Sequence, residues 1–423
     1  MKRLLFLAGV VVLVLVAGLA GYVLWLKHEG RDIRGSPTVE FTHTRPPKAA
    51  AKALVRSRVY WPTYGFDSRR LRFDPAARLR PPFRRIWTFH GQALLEFPPA
   101  LAYGRVYLPT FDGRFYALDA RTGKPVWQRS TGRCGWASPA IWRRTVYVTF
   151  IGHAPCDRSV PGRDGVVLAF DSETGRSRWS RRIGPTESSP LVAKGRVYVG
   201  DWNGRVWALN ARTGRTRWVR ELGGMIKGSL ALAGKRLYIG SYDGHVYALD
   251  SRRGRLIWRA SAQPRLGSTG TFYSTPALAY GRVYIGSTDG KVYSYGATSG
   301  KLRWSQGTGG YVYASPAIWR RLVLVGSYDH TFYALDAATG DVRWRFQANG
   351  PISGSATVLA GIVYFSTFNE RTYALNAGTG RLVWTWPDGK YSPVVADPHR
   401  VYLVGVGRLY GMAERRAAGS TNR

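Results

Sequence analysis

Two hydrophobic patterns divide the chain. From Leu4 to Leu26 every position is uncharged and nearly all are apolar. At 1.5 Å per helical residue this run is about 35 Å long, enough to cross the hydrocarbon core of a bilayer. From residue 81 onward, apolar and polar positions alternate in short runs broken by glycine, the period-2 pattern of half-buried strands. Residues 276–307 show one unit: PALAY, RVYIGS, KVYSYG and KLRWSQ, separated by Gly281, Asp289-Gly290 and ATSG. The aspartate–glycine pair supplies the positive φ of a tight hairpin turn. Each unit therefore predicts four short antiparallel strands, A to D.

The unit recurs. ALDARTGKPVW at 117–127 returns in related form at 169–179, 208–218, 248–258, 294–304, 334–344 and 374–384. Its tryptophans are Trp127, Trp179, Trp218, Trp258, Trp304, Trp344 and Trp384, spaced 52, 39, 40, 46, 40 and 40 residues apart. A period near 40 marks a repeat architecture, and four-stranded units repeated radially make a β-propeller. The ends set the blade number. Trp87, in RRIWTFH, is a D strand without partners, and residues 391–414 supply three strands without a D strand. Joined, they form an eighth blade that leaves no open sheet edge. The fold expected is all-β: an eight-bladed propeller over residues 81–414, preceded by a transmembrane helix.

Composition adds compartment and charge. Lys2 and Arg3 precede the apolar run, so the positive-inside rule places residues 1–3 in the cytoplasm, the anchor at 4–26 and the bulk outside. A cleaved signal peptide is the alternative, with a weak small-residue site at GLAG, 18–21. Residues 27–80, with prolines, charges and no sustained period, are expected to be a stalk and lead-in segment, and 415–423 a flexible tail. The chain has two cysteines, Cys134 and Cys156. Outside the cytoplasm an even count favours a disulfide, and two separate buried thiols are the alternative. Lysine and arginine outnumber aspartate and glutamate 62 to 25, a formal +37.

The A-x-D/N-x-x-T-G-x-x-x-W string resembles the tryptophan-docking motif of pyrroloquinoline-quinone (PQQ)-like propellers, and WPTYGFD at 61–67 looks like their lead-in segment. Relatives in that superfamily include quinoprotein dehydrogenases and the propeller lipoprotein of the outer-membrane β-barrel assembly machinery. The resemblance implies that Trp87 and the seven repeat tryptophans pack between blades. The chain departs from both relatives: it has no adjacent Cys-Cys pair and no cysteine near the anchor to be lipidated.

Strand order assigns the loops to two faces. A–B and C–D turns share one face, which collects Arg105, Arg121, Arg143, Arg144, Arg176, Arg212, Arg215, Arg217, Arg252, Arg253, Arg320 and Arg321. Solvated turns in an arginine-rich chain explain this face, and so does contact with anionic lipid or wall polymer. B–C turns and D–A connections share the other face. There, one residue per blade precedes each A strand: Glu96, Trp136, Glu187, Lys227, Tyr273, Tyr313, Ser353 and Lys390. This ring should rim the central channel and suits a polar, flat or sugar-like ligand. No nucleophile–base set or metal-ligand spacing stands out.

The expectation is a non-catalytic binding or scaffold module at the cell envelope, a monomer held in the cell membrane with its propeller on the extracytoplasmic side. It would meet an envelope protein or saccharide, take no cofactor or metal, and bind no nucleic acid. The alternative is a quinoprotein-type oxidoreductase holding PQQ with calcium at the channel mouth.

Overall fold

The computed structural model describes residues 2–42, 58–154, 156, 164–264, 270–391 and 394–415. Parts of the two long inserts, residues 155, 157–163 and 265–269, lie outside these residues, as does all of the tail beyond Arg415. Eight sheets form the ring. In the fifth blade the strands are Ala277–Ala279, Arg282–Gly286, Lys291–Gly296 and Leu302–Gly307, all antiparallel. The eighth blade is composite. Phe83–His90 pairs with Arg408–Glu414, so both ends of the propeller close one sheet.

Each repeat tryptophan docks on the next blade. Trp179 Nε1 donates to the Ala211 carbonyl at 3.0 Å, and Trp304 Nε1 to that of Ala337 at 3.0 Å. A strand-B tyrosine donates to the same carbonyl, as Tyr147 and Tyr284 do. The indole lies flat on the motif glycine of the following blade. A Cβ on Gly214 would stand 2.7 Å from the Trp179 ring, and this glycine has φ +70°. The T-G step is thus needed twice: the turn requires positive φ, and the neighbouring indole leaves no room for a side chain. Trp87 lies on Gly123 in the same way, and its Nε1 has no hydrogen-bond partner. Trp384 meets a blade that lacks the motif, and packs edge-on against Phe83 instead, at 5.5 Å.

A-strand backbones face the channel and would leave N–H groups unpaired there. Residues 58–74 answer this by winding around the inside of the ring. Val59–Trp61 pairs with Ala100–Ala102. The carbonyls of Pro62, Ser68, Arg69, Leu71 and Arg72 then accept from Ile141, Leu232, Leu278, Ile318 and Val358, one in each of five blades. Phe73–Asp74 finishes as a parallel partner of Thr357–Leu359. Arg70 and Arg72, both buried, take positive φ of 61° and 53° to make the curve. Arg70 is held by the Leu230 and Ser189 carbonyls and the Thr63 hydroxyl.

An α-helix covers Lys2–Glu29, and its Gly9–Glu29 part is long and apolar enough to cross a membrane. The first part of the expected stalk is seated on the propeller. Ile33 pairs with Ser305, and Asp32 meets Lys291 at 3.1 Å. The buried Arg282 guanidinium donates to the carbonyls of Ser36, Val39 and Glu40. Phe41 stacks on Tyr280 at 5.1 Å. Residues 43–57 lie outside the described ones.

Candidate functional site

The D–A connections bring Glu96, Glu187, Lys227, Tyr273, Tyr313 and Ser353 together around a channel-mouth cavity of about 60 Å³. Trp136 joins a neighbouring chamber of about 190 Å³ with Glu96, Phe97, Glu187, Trp202, Lys227 and Tyr273. Lys390 does not line either space. Its ammonium lies 5.9 Å from the ring of Tyr391, and Tyr391 takes the lining position instead.

Sequence reading missed half of the rim. In five blades the residue before the turn joining strands B and C is an aromatic packed against a rim residue: Phe111, Trp202, Tyr242, Tyr328 and Phe368. These interleave with the D–A residues as a run of ring contacts. Tyr273–Tyr313, Tyr313–Tyr328, Tyr328–Phe368 and Phe368–Tyr391 lie 5.1, 5.0, 5.5 and 5.4 Å apart. Phe111, Trp136 and Trp202 form a second arc, at 5.7 and 6.3 Å. The signal was present: an aromatic recurs before the turn at positions 111, 202, 242, 328 and 368.

Lys227 bridges the two arcs. Its ammonium sits 4.3 Å from the Trp202 ring centre and 5.4 Å from that of Tyr242. Glu187, almost fully buried, balances it at 3.6 Å and accepts from the Tyr273 hydroxyl at 3.0 Å. Burial, then Glu187 and Glu96, push the Tyr273 phenol well above its ordinary value, so it stays a donor. The result is a cation in an aromatic box with a carboxylate wall, an arrangement that recognises polar groups by charge and ring faces.

Below the rim runs a girdle of hydroxyls. The amides of Ser138, Ser189, Ser229, Thr275 and Ser315 donate to the hydroxyls of Ser189, Ser229, Thr275, Ser315 and Ser355 at 2.8–3.0 Å. Each bond crosses from one blade to the next. Tyr64, from the inner ring, reaches Ser355 at 2.8 Å. Burial, the largest effect, raises the Tyr64 phenol, but the Arg72 charge and the hydrogen bonds with Ser315 and Ser355 together outweigh it and leave the phenol below its usual value. The Nε and Nη2 of Arg72 are buried without a hydrogen-bond partner. Cys134 and Cys156 form a disulfide on this same face, with Cα atoms 5.4 Å apart.

Fold and mouth together define an eight-bladed propeller with an aromatic, hydroxyl-lined channel. The family profile described as "Outer membrane protein assembly factor BamB", of the PQQ type, matches residues 84–154, 163–310 and 243–384. The matched stretches cover well over half of the chain, and the chain belongs to that family. Among solved structures it is similar to BamB from Moraxella catarrhalis, with a TM-score of 0.63 and 17% identity over 78% of this chain and 99% of that one. It is also similar to quinohemoprotein alcohol dehydrogenase from Comamonas testosteroni, with a TM-score of 0.72 and 15% identity over 90% of this chain and 84% of that one. These likenesses concern the fold.

Curated relatives correct two expectations. The chain is 33% identical to the Comamonas testosteroni quinohemoprotein alcohol dehydrogenase over 22% of its own length and 15% of that enzyme's. It is 27% identical to the 1-butanol dehydrogenase (cytochrome c) of Thauera butanivorans over 33% of its length and 22% of that enzyme's. The expectations of a non-enzyme and of no cofactor are therefore overturned: these relatives are quinone- and haem-type dehydrogenases by name. The missing Cys-Cys pair bears on one feature of such enzymes and not on the class. The chain spans far less than two thirds of these enzymes' lengths. The mouth as shaped does not fit a tricyclic quinone with a divalent ion. Its spaces of 60 and 190 Å³ fall below the 300 Å³ at which ligand pockets ordinarily begin. Glu187 is already engaged by Lys227 and Tyr273. Among the described residues no three histidine, cysteine or carboxylate side chains gather as metal ligands.

Proposed function

We propose that the chain is a single-pass membrane protein whose propeller, on the extracytoplasmic side, binds a small polar ligand at its channel mouth. The observation that carries this reading is the Lys227–Glu187–Tyr273 cluster walled by Trp202 and Tyr242, the place where unlike functional groups meet on a rigid frame. The apolar helix supports the anchor, and the Cys134–Cys156 disulfide supports an oxidising compartment. An envelope saccharide or protein segment is the ligand class that a box of rings, hydroxyls and one ion pair suits. The basic C–D face is left for an anionic envelope polymer.

A second reading is favoured by the dehydrogenase relatives: a quinone-dependent oxidoreductase working at the same mouth after its aromatic rim opens. One experiment separates the two. Full-length protein in detergent is titrated with cell-wall saccharides, and separately with PQQ and calcium, while tryptophan fluorescence and dye reduction with primary alcohols are followed. Quenching by saccharide that is lost in Glu187→Gln and Lys227→Met supports the binding reading. Alcohol-dependent dye reduction with PQQ and calcium, lost in the same variants, supports the oxidoreductase reading and displaces the first.

A further inference from the structure

The apolar helix does not end in free space. Its last turn is capped by the propeller: Gln263 Nε2 donates to the Glu29 carbonyl at 2.8 Å and to that of Arg31 at 2.9 Å. Lys291 Nζ donates to the Gly30 carbonyl at 2.5 Å, and Gly307 N to Asp32 at 2.9 Å. C-terminal carbonyls of a helix otherwise lack partners, so these contacts fix where the helix leaves. Lys291 opens strand C of the fifth blade and Gly307 closes its strand D. Both are strand ends on the face that carries the channel mouth.

The chain then runs away from that face. Ile33 pairs with Ser305, and eight residues later Phe41 stacks on Tyr280, at the A–B turn on the opposite, basic face. Glu40 reaches Ser299 in the C–D turn, and also binds Arg303. Residues 36–40 fold around the Arg282 guanidinium, so the span is that of the six-residue strand Lys291–Gly296 beside it, about 20 Å. The strap is thus a ruler along the side of the propeller, its membrane end at the mouth and its far end at the basic face.

We infer that the channel mouth faces the headgroup layer of the membrane the helix crosses, and that the mouth face rests against it. This rests on the anchor reading proposed above. Two exposed side chains on that face, Met225 and Tyr311, and the rim of tryptophan and tyrosine suit the interfacial layer, where amphipathic rings collect. The basic face stands about 20 Å further out, about two screening lengths of about 10 Å from the lipid charges at 0.1 M salt. It does not feel the lipid beneath, and the mouth draws its ligand from the membrane surface.

Both native cysteines are disulfide-bonded, so a single introduced cysteine takes a spin label alone. Full-length Met225→Cys and Arg252→Cys proteins, reconstituted in nanodiscs containing a nickel-chelating lipid, report the distance of each face from the headgroups. Relaxation at Met225→Cys several-fold stronger than at Arg252→Cys is the expected result, and equal or reversed relaxation overturns the inference. Adding Gln263→Ala with Lys291→Ala removes the cap at residues 29–32 and should shrink the difference while the protein stays folded and in the disc. A difference that survives removal of the cap overturns the cap as its cause. Mass spectrometry of the chain from native membranes separates the two readings. An N-terminus cleaved near residue 20 overturns anchor and orientation together, whereas an intact chain with equal relaxation overturns the orientation alone.

Discussion

Gly214 and Gly195 both have positive φ, 70° and 73°, yet they are not equivalent. A Cβ at Gly195 meets nothing within 4 Å, whereas at Gly214 it strikes the Trp179 ring. Gly195→Ala should therefore cost only the left-handed penalty, about 1 kcal/mol. Gly214→Ala adds overpacking and should cost about 3 kcal/mol, read by chemical denaturation. Asp74 gives a second test. Burial raises its carboxyl to about 6, above the unfolded value of 3.8. A raised acid binds its proton more tightly when folded. Its destabilising effect is therefore absent below about pH 4, grows as pH rises toward 6, and is complete above that. Asp74→Asn should stabilise the protein at pH 7.5 by about 1–2 kcal/mol, with the gain vanishing at pH 4 in thermal melts.

Between elements, the repeated unit of cohesion is one carbonyl shared by an indole and a phenol. Tyr198 and Trp218 both donate to Ser251 O, at 2.9 and 3.3 Å. At the seventh blade the pattern breaks. The following blade begins with the C-terminal strands and carries no D-x-x-T-G turn, and the buried Tyr364 hydroxyl has no partner. Tyr364→Phe should raise stability by about 1 kcal/mol, because a buried orphan hydroxyl is removed. Tyr198→Phe should lower it by about as much, because the Ser251 carbonyl loses a donor. Opposite signs from the same substitution, measured in one denaturant series, check the account. The inner ring at 58–74 and the hydroxyl girdle work at this scale too: each joins neighbouring blades by backbone bonds that no single blade could satisfy.

Over the whole molecule, a formal +37 is unevenly placed. The C–D turns hold Arg212, Arg215, Arg217, Arg252 and Arg253 exposed on one face. Full-length protein in detergent should bind polyglutamate with an affinity that falls steeply between 50 and 300 mM salt, since exposed charges are screened over about 10 Å. Reversing those five arginines to glutamate should remove most of the salt dependence. An unchanged slope would show that the charge is spread too evenly to make a face. The strap places this face outward and the mouth inward, so the two faces serve different partners.

Blade number, ring closure and the docking role of the tryptophans were legible in the sequence, because local rules write them. Alternation and Asp-Gly turns are short-range, and a 40-residue period repeats them until counting suffices. The D–A half of the mouth was placed by the same counting except at the eighth blade, where Tyr391 and not Lys390 lines it. Its B–C half carried a recurring aromatic signal, but only the three-dimensional ring interleaves residues 15 to 66 positions apart. The Lys227 box, the hydroxyl girdle and the inner ring were decided by tertiary structure alone, since each joins residues from several blades through backbone and side-chain geometry. The strap was hidden for the same reason. Residues 31–42 have no periodic pattern, and their order comes from Arg282 and Lys291, some 250 positions away, whose remaining donors find acceptors in this segment.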